Sequence, residues 1–163
     1  MRRSSLPGST SASTGPVLRS AALGLASGAR TTLGFAAPLV HWRAGRIDAD
    51  HRRLRTAAAV GSVLLVAAEL VGDKLPQAPS RLDPPGPLVR AASAAVGSAL
   101  LRRGGSPALA PVLLAGVAGS VAGTYGGAAW RAWASGRVPD WQAAVVEDVV
   151  AVLLAGTAAR LDG

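Results

Sequence analysis

The chain has 163 residues, with 17 Lys and Arg against 9 Asp and Glu, and it contains no Cys. Ala (35 residues) and Gly (20 residues) make up a third of it, and charged residues make up 16%, where a soluble domain carries about 25%. This composition excludes a disordered chain, a disulfide scaffold and a thiolate metal site. Small residues bury little area in a soluble core but let helices pack closely in lipid, so the composition favours a membrane protein.

A polar segment opens the chain, and five apolar stretches follow it. Residues 1–16 are mostly Ser, Thr, Gly and Pro, which is typical of a disordered basic tail, and residues 17–163 are expected to form a single membrane domain. The stretches show no period-two alternation, and Pro and Gly separate them, so they predict helices. The predicted helices cover approximately residues 20–40, 56–72, 88–101, 106–130 and 141–159.

The number of membrane spans depends on length and on charge. A span needs about 20 mostly apolar residues, and the charge-free stretch 106–130 meets that requirement outright. Stretches 20–40, 56–72 and 141–159 qualify if their charged residues are sheltered, whereas 88–101 is short. The sequence therefore predicts an all-α polytopic bundle of four or five spans in the cytoplasmic membrane.

The basic residues do not decide the orientation of a five-span chain. Five spans place eight Lys and Arg on each side, with Arg30 inside the membrane. If the remote Arg2 and Arg3 are left out, a slight excess favours a cytoplasmic location for the segment from Arg43 to Arg55.

An internal similarity suggests a repeat. Residues 42–48 resemble residues 133–140, and each copy follows a glycine-bearing helix and precedes a helix with acidic residues. The pattern allows two inverted two-helix repeats around a short third helix, an arrangement found in transporters, or a chance similarity in an Ala-, Gly- and Arg-rich chain.

Three charged residues lie deep inside predicted spans. Arg30, Glu147 and Asp148 must each face the bundle interior, a partner or water, because a central charge costs about 2.5 to 3.5 kcal/mol. Arg30 and the two acids lie at similar depths, which predicts that Arg30 pairs with Asp148 or Glu147. Glu69 and Asp73 share one helical face, and Lys74 follows them at the helix end. The first three charges fit an ion, proton or anion pathway or a buried pair that fixes helix register, and the last three also fit an interfacial position.

Glycines recur every four residues in two of the stretches. Gly24 and Gly28 form one pair, and Gly119, Gly123 and Gly127 form the other set. This spacing favours close helix packing over a phosphate-binding loop, which would need a preceding strand. Gly119, Gly123 and Gly127 are also a predicted homo-oligomer contact.

Other classes of function are not expected from the sequence. The two His residues form no ligand set with the acids, and no Ser, His and acid constellation is readable, so we expect no metal, no cofactor and no enzyme activity. The Arg residues are spread over every loop, which favours anionic lipid headgroups over nucleic acid as the partner of the net charge of +8.

One segment of the chain carries a recognisable motif, residues 68–81, with the sequence Ala-Glu-Leu-Val-Gly-Asp-Lys-Leu-Pro-Gln-Ala-Pro-Ser-Arg. This motif resembles a bacterial integral-membrane family catalogued as domain of unknown function 4126. Residues 28–31 resemble the opening helix of the same family, and residues 123–131 with Glu147-Asp148 resemble its second half. The resemblance implies a small multi-span protein without an established activity, and it adds Pro76, Arg81, Tyr125 and Arg131 to the residues of interest. The candidate site residues are then Arg30, Glu69, Asp73, Lys74, Pro76, Arg81, Tyr125, Arg131, Glu147 and Asp148.

Two hypotheses about function follow. The first is a transport or permeation module whose charged residues line a site between spans. The alternative is a structural or assembly protein whose charges only lock the helices together.

Overall fold

The computed structural model describes residues 14–41, 49–72, 82–102 and 108–160. All elements in these ranges are helices, so the predicted all-α class is confirmed. They are α1 (Thr14–Ala29), α2 (Leu33–Val40), α3 (Ala49–Gly72), α4 (Gly86–Leu101), α5 (Leu109–Ala134) and α6 (Asp140–Arg160). Helix α1 begins inside the tail predicted over 1–16, and residues 1–13 lie outside the described ranges.

The stretch 20–40 was expected to be one helix, and this expectation is wrong. Helix α1 ends at Ala29, residues 30–32 form a turn, and α2 begins at Leu33. The last regular bond of α1 is donated by the Arg30 amide to Ala26 O at 2.8 Å, and the Leu33 amide then turns back to Arg30 O at 3.1 Å. The helix stops here because the next two amides bond to a side chain from α3, as described below.

The two helices fold back on each other as a hairpin. Arg19 and His41 lie eleven residues before and after Arg30, and a continuous helix would separate them by about 33 Å. Both instead contact the last turn of α6. Arg19 Nε donates to Ala158 O at 2.9 Å, and Arg160 Nε donates to His41 Nε2 at 3.2 Å. We call this end of the bundle the base, and the turn at residues 30–32 the tip of the hairpin.

Helix α5 runs parallel to α1 and packs closely against it. Gly24 lies against Gly116 and Ser120, and Gly28 lies further along α5, against Gly123 and Thr124. A Cβ at Gly24 or Gly28 would come closer than 3.0 Å to backbone atoms of α5, which real Cβ atoms essentially never do. Contact between the two backbones therefore requires Gly at both positions.

The predicted inverted repeat does not fit this packing. The first helices of the two repeats would be α1 and α5, and an inverted repeat requires them to run in opposite directions. They run in the same direction, since the order Gly24, Gly28 on α1 follows the order Gly116, Thr124 on α5. Residues 42–48 of the first copy lie outside the described ranges.

Among the residues that the structure describes, three helices are long and apolar enough to cross a membrane, which indicates a membrane protein. They cover Arg52–Gly72, Leu109–Ala134 and Asp140–Arg160, and α4 is a shorter apolar helix of 16 residues. Only 6% of the apolar window of α3 is buried, because α3 packs mainly against α2. The predicted count of four or five spans is therefore not confirmed by helix length and hydropathy.

Candidate functional site at the helix break

The amides at the tip of the hairpin bond to one carboxylate. The Thr31 amide donates to Glu69 Oε1 at 2.6 Å, and the Thr32 amide donates to Glu69 Oε2 at 2.8 Å. The Thr32 hydroxyl donates to the same Oε2 at 2.5 Å. A helix N-terminus leaves amides without intrahelical partners and favours a nearby negative charge, so Glu69 of α3 serves as the cap of α2.

Backbone carbonyls at the helix break, the interruption between α1 and α2 at the tip of the hairpin, accept hydrogen bonds from two further helices. Thr31 O accepts from Ser93 Oγ of α4 at 2.5 Å, and Gly28 O accepts from Thr124 Oγ1 of α5 at 3.3 Å. Buried backbone groups are costly without partners, above all in a membrane. Side chains from α3, α4 and α5 therefore supply the bonds that the interrupted helix no longer makes.

Arg30 lies at the tip itself and pairs with α6. Its side chain is 2% exposed, and Nη2 and Nε both approach Asp148 Oδ1, at 2.5 Å and 2.7 Å. The predicted pairing of Arg30 with an acid of α6 is confirmed, and that acid is Asp148. Two donors on one carboxylate oxygen form a charge-assisted contact that fixes the orientation of the guanidinium.

The neighbouring acid, Glu147, has a different environment. Its side chain is 6% exposed, and Arg131 Nη1 lies 3.9 Å from its Oε2. The other terminal nitrogen of Arg131, Nη2, donates to the exposed Asp140 at 2.6 Å. Arg131 thus contacts two acids of α6, the exposed Asp140 at the start of the helix and the buried Glu147 two turns further along.

Glu147 lines a cavity of about 340 Å³ between α1, α5 and α6. The wall from α5 is formed by small residues and one indole, and the α6 wall is formed by Val, Ala and Leu around the carboxylate. Val146 and Val150 on its rim are about half exposed, so the cavity opens at the side of the bundle. The lining residues are Leu25, Ala29, Ala122, Gly123, Gly126, Gly127, Trp130, Val146, Glu147, Val150, Ala151 and Leu154.

The cavity adjoins the break. Ala29 on its wall precedes Arg30, and Glu147 precedes Asp148, the partner of Arg30.

No family model, no curated protein and no solved structure matches this chain. The interpretation of the site therefore rests on its own geometry.

The remaining candidates are less closely tied to the break. Tyr125 is 56% exposed on α5 and lies one residue after Thr124, which faces α1. Asp73, Lys74, Pro76 and Arg81 lie outside the described residues, although Gly72 ends α3 one residue before them. Of the residues predicted from charge alone, the structure brings Arg30, Glu69 and Asp148 together at the break and places Glu147 beside them.

The sequence reasoning missed the hydroxyl groups that complete this site. Ser93 and Thr124 were not singled out, nor were the Thr31 and Thr32 that meet Glu69. A usable signal existed, because these four hydroxyl residues lie inside apolar stretches and are candidates for hydrogen bonds to a broken backbone. Arg90 of α4, which is 6% exposed, was also absent from the candidates.

The glycines expected to mediate a homo-oligomer are used inside the chain. Gly119 and Gly123 lie against Ala21 and Leu25 of α1, and Gly127 lines the cavity. Within the ranges that the structure describes, no three His, Asp or Glu side chains are grouped to hold a metal ion.

Proposed function

We propose that this chain is a small transport or permeation module of the cytoplasmic membrane, with its site at the tip of the α1–α2 hairpin. The observation that carries the proposal is an interrupted helix, with an Arg and two carboxylates at the break, directly beside a cavity that contains a third carboxylate. Irregular backbone at membrane depth is tolerated where it is buried in protein or lines a cavity, and transporters place binding sites at such interruptions.

The proposal includes a membrane topology of four crossings and one re-entrant hairpin. The α1–α2 hairpin enters from the base and returns to it, and α5 and α6 run to the far end and back. Helix α3 packs along α2, so it leads from the base towards the far end, where Gly72 ends it. The chain must return to the base before α5 begins, and α4 is the helix that makes this crossing in the described residues.

This topology supports an orientation that five spans did not support. With both helices of the hairpin on one side, the base receives eleven basic residues and the far end receives four, while Arg30 and Arg90 are buried. The positive-inside rule then favours a cytoplasmic base. The basic residues of the base are Arg2, Arg3, Arg19, Arg43, Arg46, Arg52, Arg53, Arg55, Arg102, Arg103 and Arg160, and those of the far end are Lys74, Arg81, Arg131 and Arg137.

A solute-flux screen tests the function. Purified protein is reconstituted into phosphatidylglycerol-containing liposomes, and swelling or current is measured for a panel of ions and small metabolites. We expect at least one solute to cross faster than it crosses protein-free liposomes. Gly126→Leu fills the cavity and should reduce this flux, whereas Gly61→Leu, at a helix position with open space around it, should not.

The second candidate function is that of a structural membrane protein, and a specific observation favours it. Arg30 and Glu69 both make short contacts within the chain, so their charges are used without any ligand. This candidate expects no solute in the panel to cross and none to raise the unfolding temperature. It gains support if the flux measurement and a thermal-unfolding measurement with the same solutes are both negative while Arg30 and Glu69 remain essential for stability.

Membership of the family catalogued as domain of unknown function 4126 also remains a proposal. Its support is the string from Glu69 to Pro76 and the coincidence of its Glu69 and Glu147-Asp148 with the break and the cavity.

A further inference from the structure

The base of the bundle carries basic residues from three helices. Arg19 Nε of α1 donates to Ala158 O at 2.9 Å, and Arg160 follows two residues later as the last residue of α6. Arg102 directly follows α4, and the preceding Leu101 is buried in the same apolar cluster as Ala158. We call Arg19, Arg102 and Arg160 the base cluster.

Arg102 has a side-chain donor without an acceptor. Its Nε is buried and makes no hydrogen bond, and its side chain makes no ion pair in the part of the chain that the structure describes. The Arg102 amide bonds to Ala99 O, where the backbone leaves the helix. A buried donor that lacks a partner is costly, and a guanidinium pairs well with carboxylate or phosphate oxygens. An anionic acceptor from outside the chain would therefore stabilise Arg102.

Arg160 is held at one edge and keeps its terminal nitrogens for another acceptor. His41 Nδ1 lies 3.0 Å from Ala37 O, which can only accept, and Arg160 Nε donates to His41 Nε2 at 3.2 Å. Both bonds form when the imidazole carries its proton on Nδ1. The exposed side chain of Arg160 makes no further polar contact within the described residues.

The described acids do not neutralise these two arginines. They lie at the tip, inside the bundle or at the far end, and they are Glu69, Asp83, Asp140, Glu147 and Asp148. Among the side chains that the structure describes, Arg102 and Arg160 therefore have no acidic partner.

We propose that the base cluster binds the phosphodiester group of an anionic phospholipid. The inference rests on the proposed function in one respect, the topology that places the base at the cytoplasmic membrane surface, where anionic lipids are abundant. Arg102 and Arg160 donate to the phosphate oxygens, for which the guanidinium fork has a matching geometry. The exposed Leu18 and Leu100 lie beside the cluster in sequence and contact the acyl chains.

The surroundings of the cluster separate this ligand from others. A free phosphate would use the cations alone, whereas a phospholipid also covers Leu18 and Leu100. A zwitterionic phospholipid carries an ammonium group that the cluster repels. Diffuse attraction between a basic surface and a bilayer would not need the buried Nε of Arg102.

Four probes test the inference on delipidated protein in a neutral detergent, with native mass spectrometry as the measure of each dissociation constant. Three of them share the same oleoyl chains and differ in the headgroup: phosphatidylglycerol, phosphatidylcholine and diacylglycerol. The fourth, glycerol phosphate, has the phosphate without the chains and reports binding of a free phosphate.

Two variants and one control separate a site from net charge. Arg102→Gln and Arg160→Gln each remove one guanidinium of the base cluster, and the exposed Arg160 can be replaced without disturbing a buried contact. Arg53→Gln removes the same charge from an exposed position of α3 outside the cluster. The unfolding temperature of each lipid-free variant shows whether it is folded.

We expect phosphatidylglycerol to bind about tenfold more tightly than each of the other probes. Arg102→Gln and Arg160→Gln should each weaken its binding about fivefold, and Arg53→Gln should change it less than about twofold. The inference is overturned if the wild type does not bind phosphatidylglycerol, or if phosphatidylcholine or glycerol phosphate binds as tightly. Equal losses in Arg53→Gln and the cluster variants would also overturn it, because the attraction would then be diffuse.

Lipid binding and solute flux fail separately. Binding of phosphatidylglycerol without flux in the liposome screen contradicts the transport proposal and leaves the lipid site intact. Flux of a solute without specific lipid binding contradicts the lipid site and leaves transport intact.

Discussion

Oε2 of Glu69 accepts two hydrogen bonds from Thr32, one from its amide at 2.8 Å and one from its hydroxyl at 2.5 Å. The two residues are 37 positions apart, and their contact decides where the first apolar stretch stops being one helix. Because Glu69 provides what the preceding turn of α1 would otherwise provide, the chain can reverse direction there without leaving amides unsatisfied.

Removing the Glu69 acceptor should loosen the hairpin tip. Glu69→Gln replaces one carboxylate oxygen by an amide group that cannot accept, so a backbone amide at the tip loses its partner, at a cost of about 1 to 3 kcal/mol. Hydrogen exchange at Thr31 and Thr32 should accelerate, and the unfolding temperature in detergent should fall. Thr56→Val is the control, since it removes an exposed hydroxyl of the same helix that bonds only to Arg52 O. Unchanged exchange at the tip would contradict the capping role.

The Arg30–Asp148 pair should contribute strongly to stability. Arg30→Leu leaves the partly buried Asp148 without the guanidinium, and breaking a buried pair costs about 3 to 5 kcal/mol. We expect a lower unfolding temperature or lower yield, while the exposed Arg53→Leu has little effect. The exchange Arg30→Asp with Asp148→Arg should recover part of the loss. If the exchange with Glu147 recovers stability and the exchange with Asp148 does not, Glu147 and not Asp148 is the partner of Arg30.

The contact between α1 and α5 should not tolerate even a methyl group. Gly24→Ala places a Cβ against the carbonyl of Gly116, so the two backbones must separate, at a cost of about 1 to 3 kcal/mol. Gly61→Ala is the matched control, because its Cβ meets nothing within 4 Å and Ala favours a helix by about 0.5 to 1 kcal/mol. Denaturant unfolding of the two variants should shift in opposite directions. Equal shifts would contradict backbone contact at Gly24.

The re-entrant topology places residues before and after the hairpin on the same side of the membrane, whereas a single span over 20–40 would place them on opposite sides. Labelling of single Cys probes distinguishes the two. The chain contains no Cys, so single probes need no background removal. Cys at Ala12 and at Ala49 should react with an impermeant maleimide from the same side, and Cys at Ser135 should react from the opposite side. Ala12 and Ala49 on opposite sides would mean that the first stretch crosses the membrane.

The helical class, the apolar stretches and the need for an acidic partner of Arg30 could all be predicted from the amino-acid sequence. These follow from local properties, because hydropathy, glycine spacing and the cost of a buried charge can be read from neighbouring residues. The hairpin in the first stretch could not be predicted in this way, since the end of α1 depends on Glu69, which is remote in sequence. The same reversal brings Arg19 and His41 to one end of the bundle, which is the contact on which the proposed topology depends. The cavity at Glu147 arises where three helices meet, and no single stretch of sequence encodes that meeting.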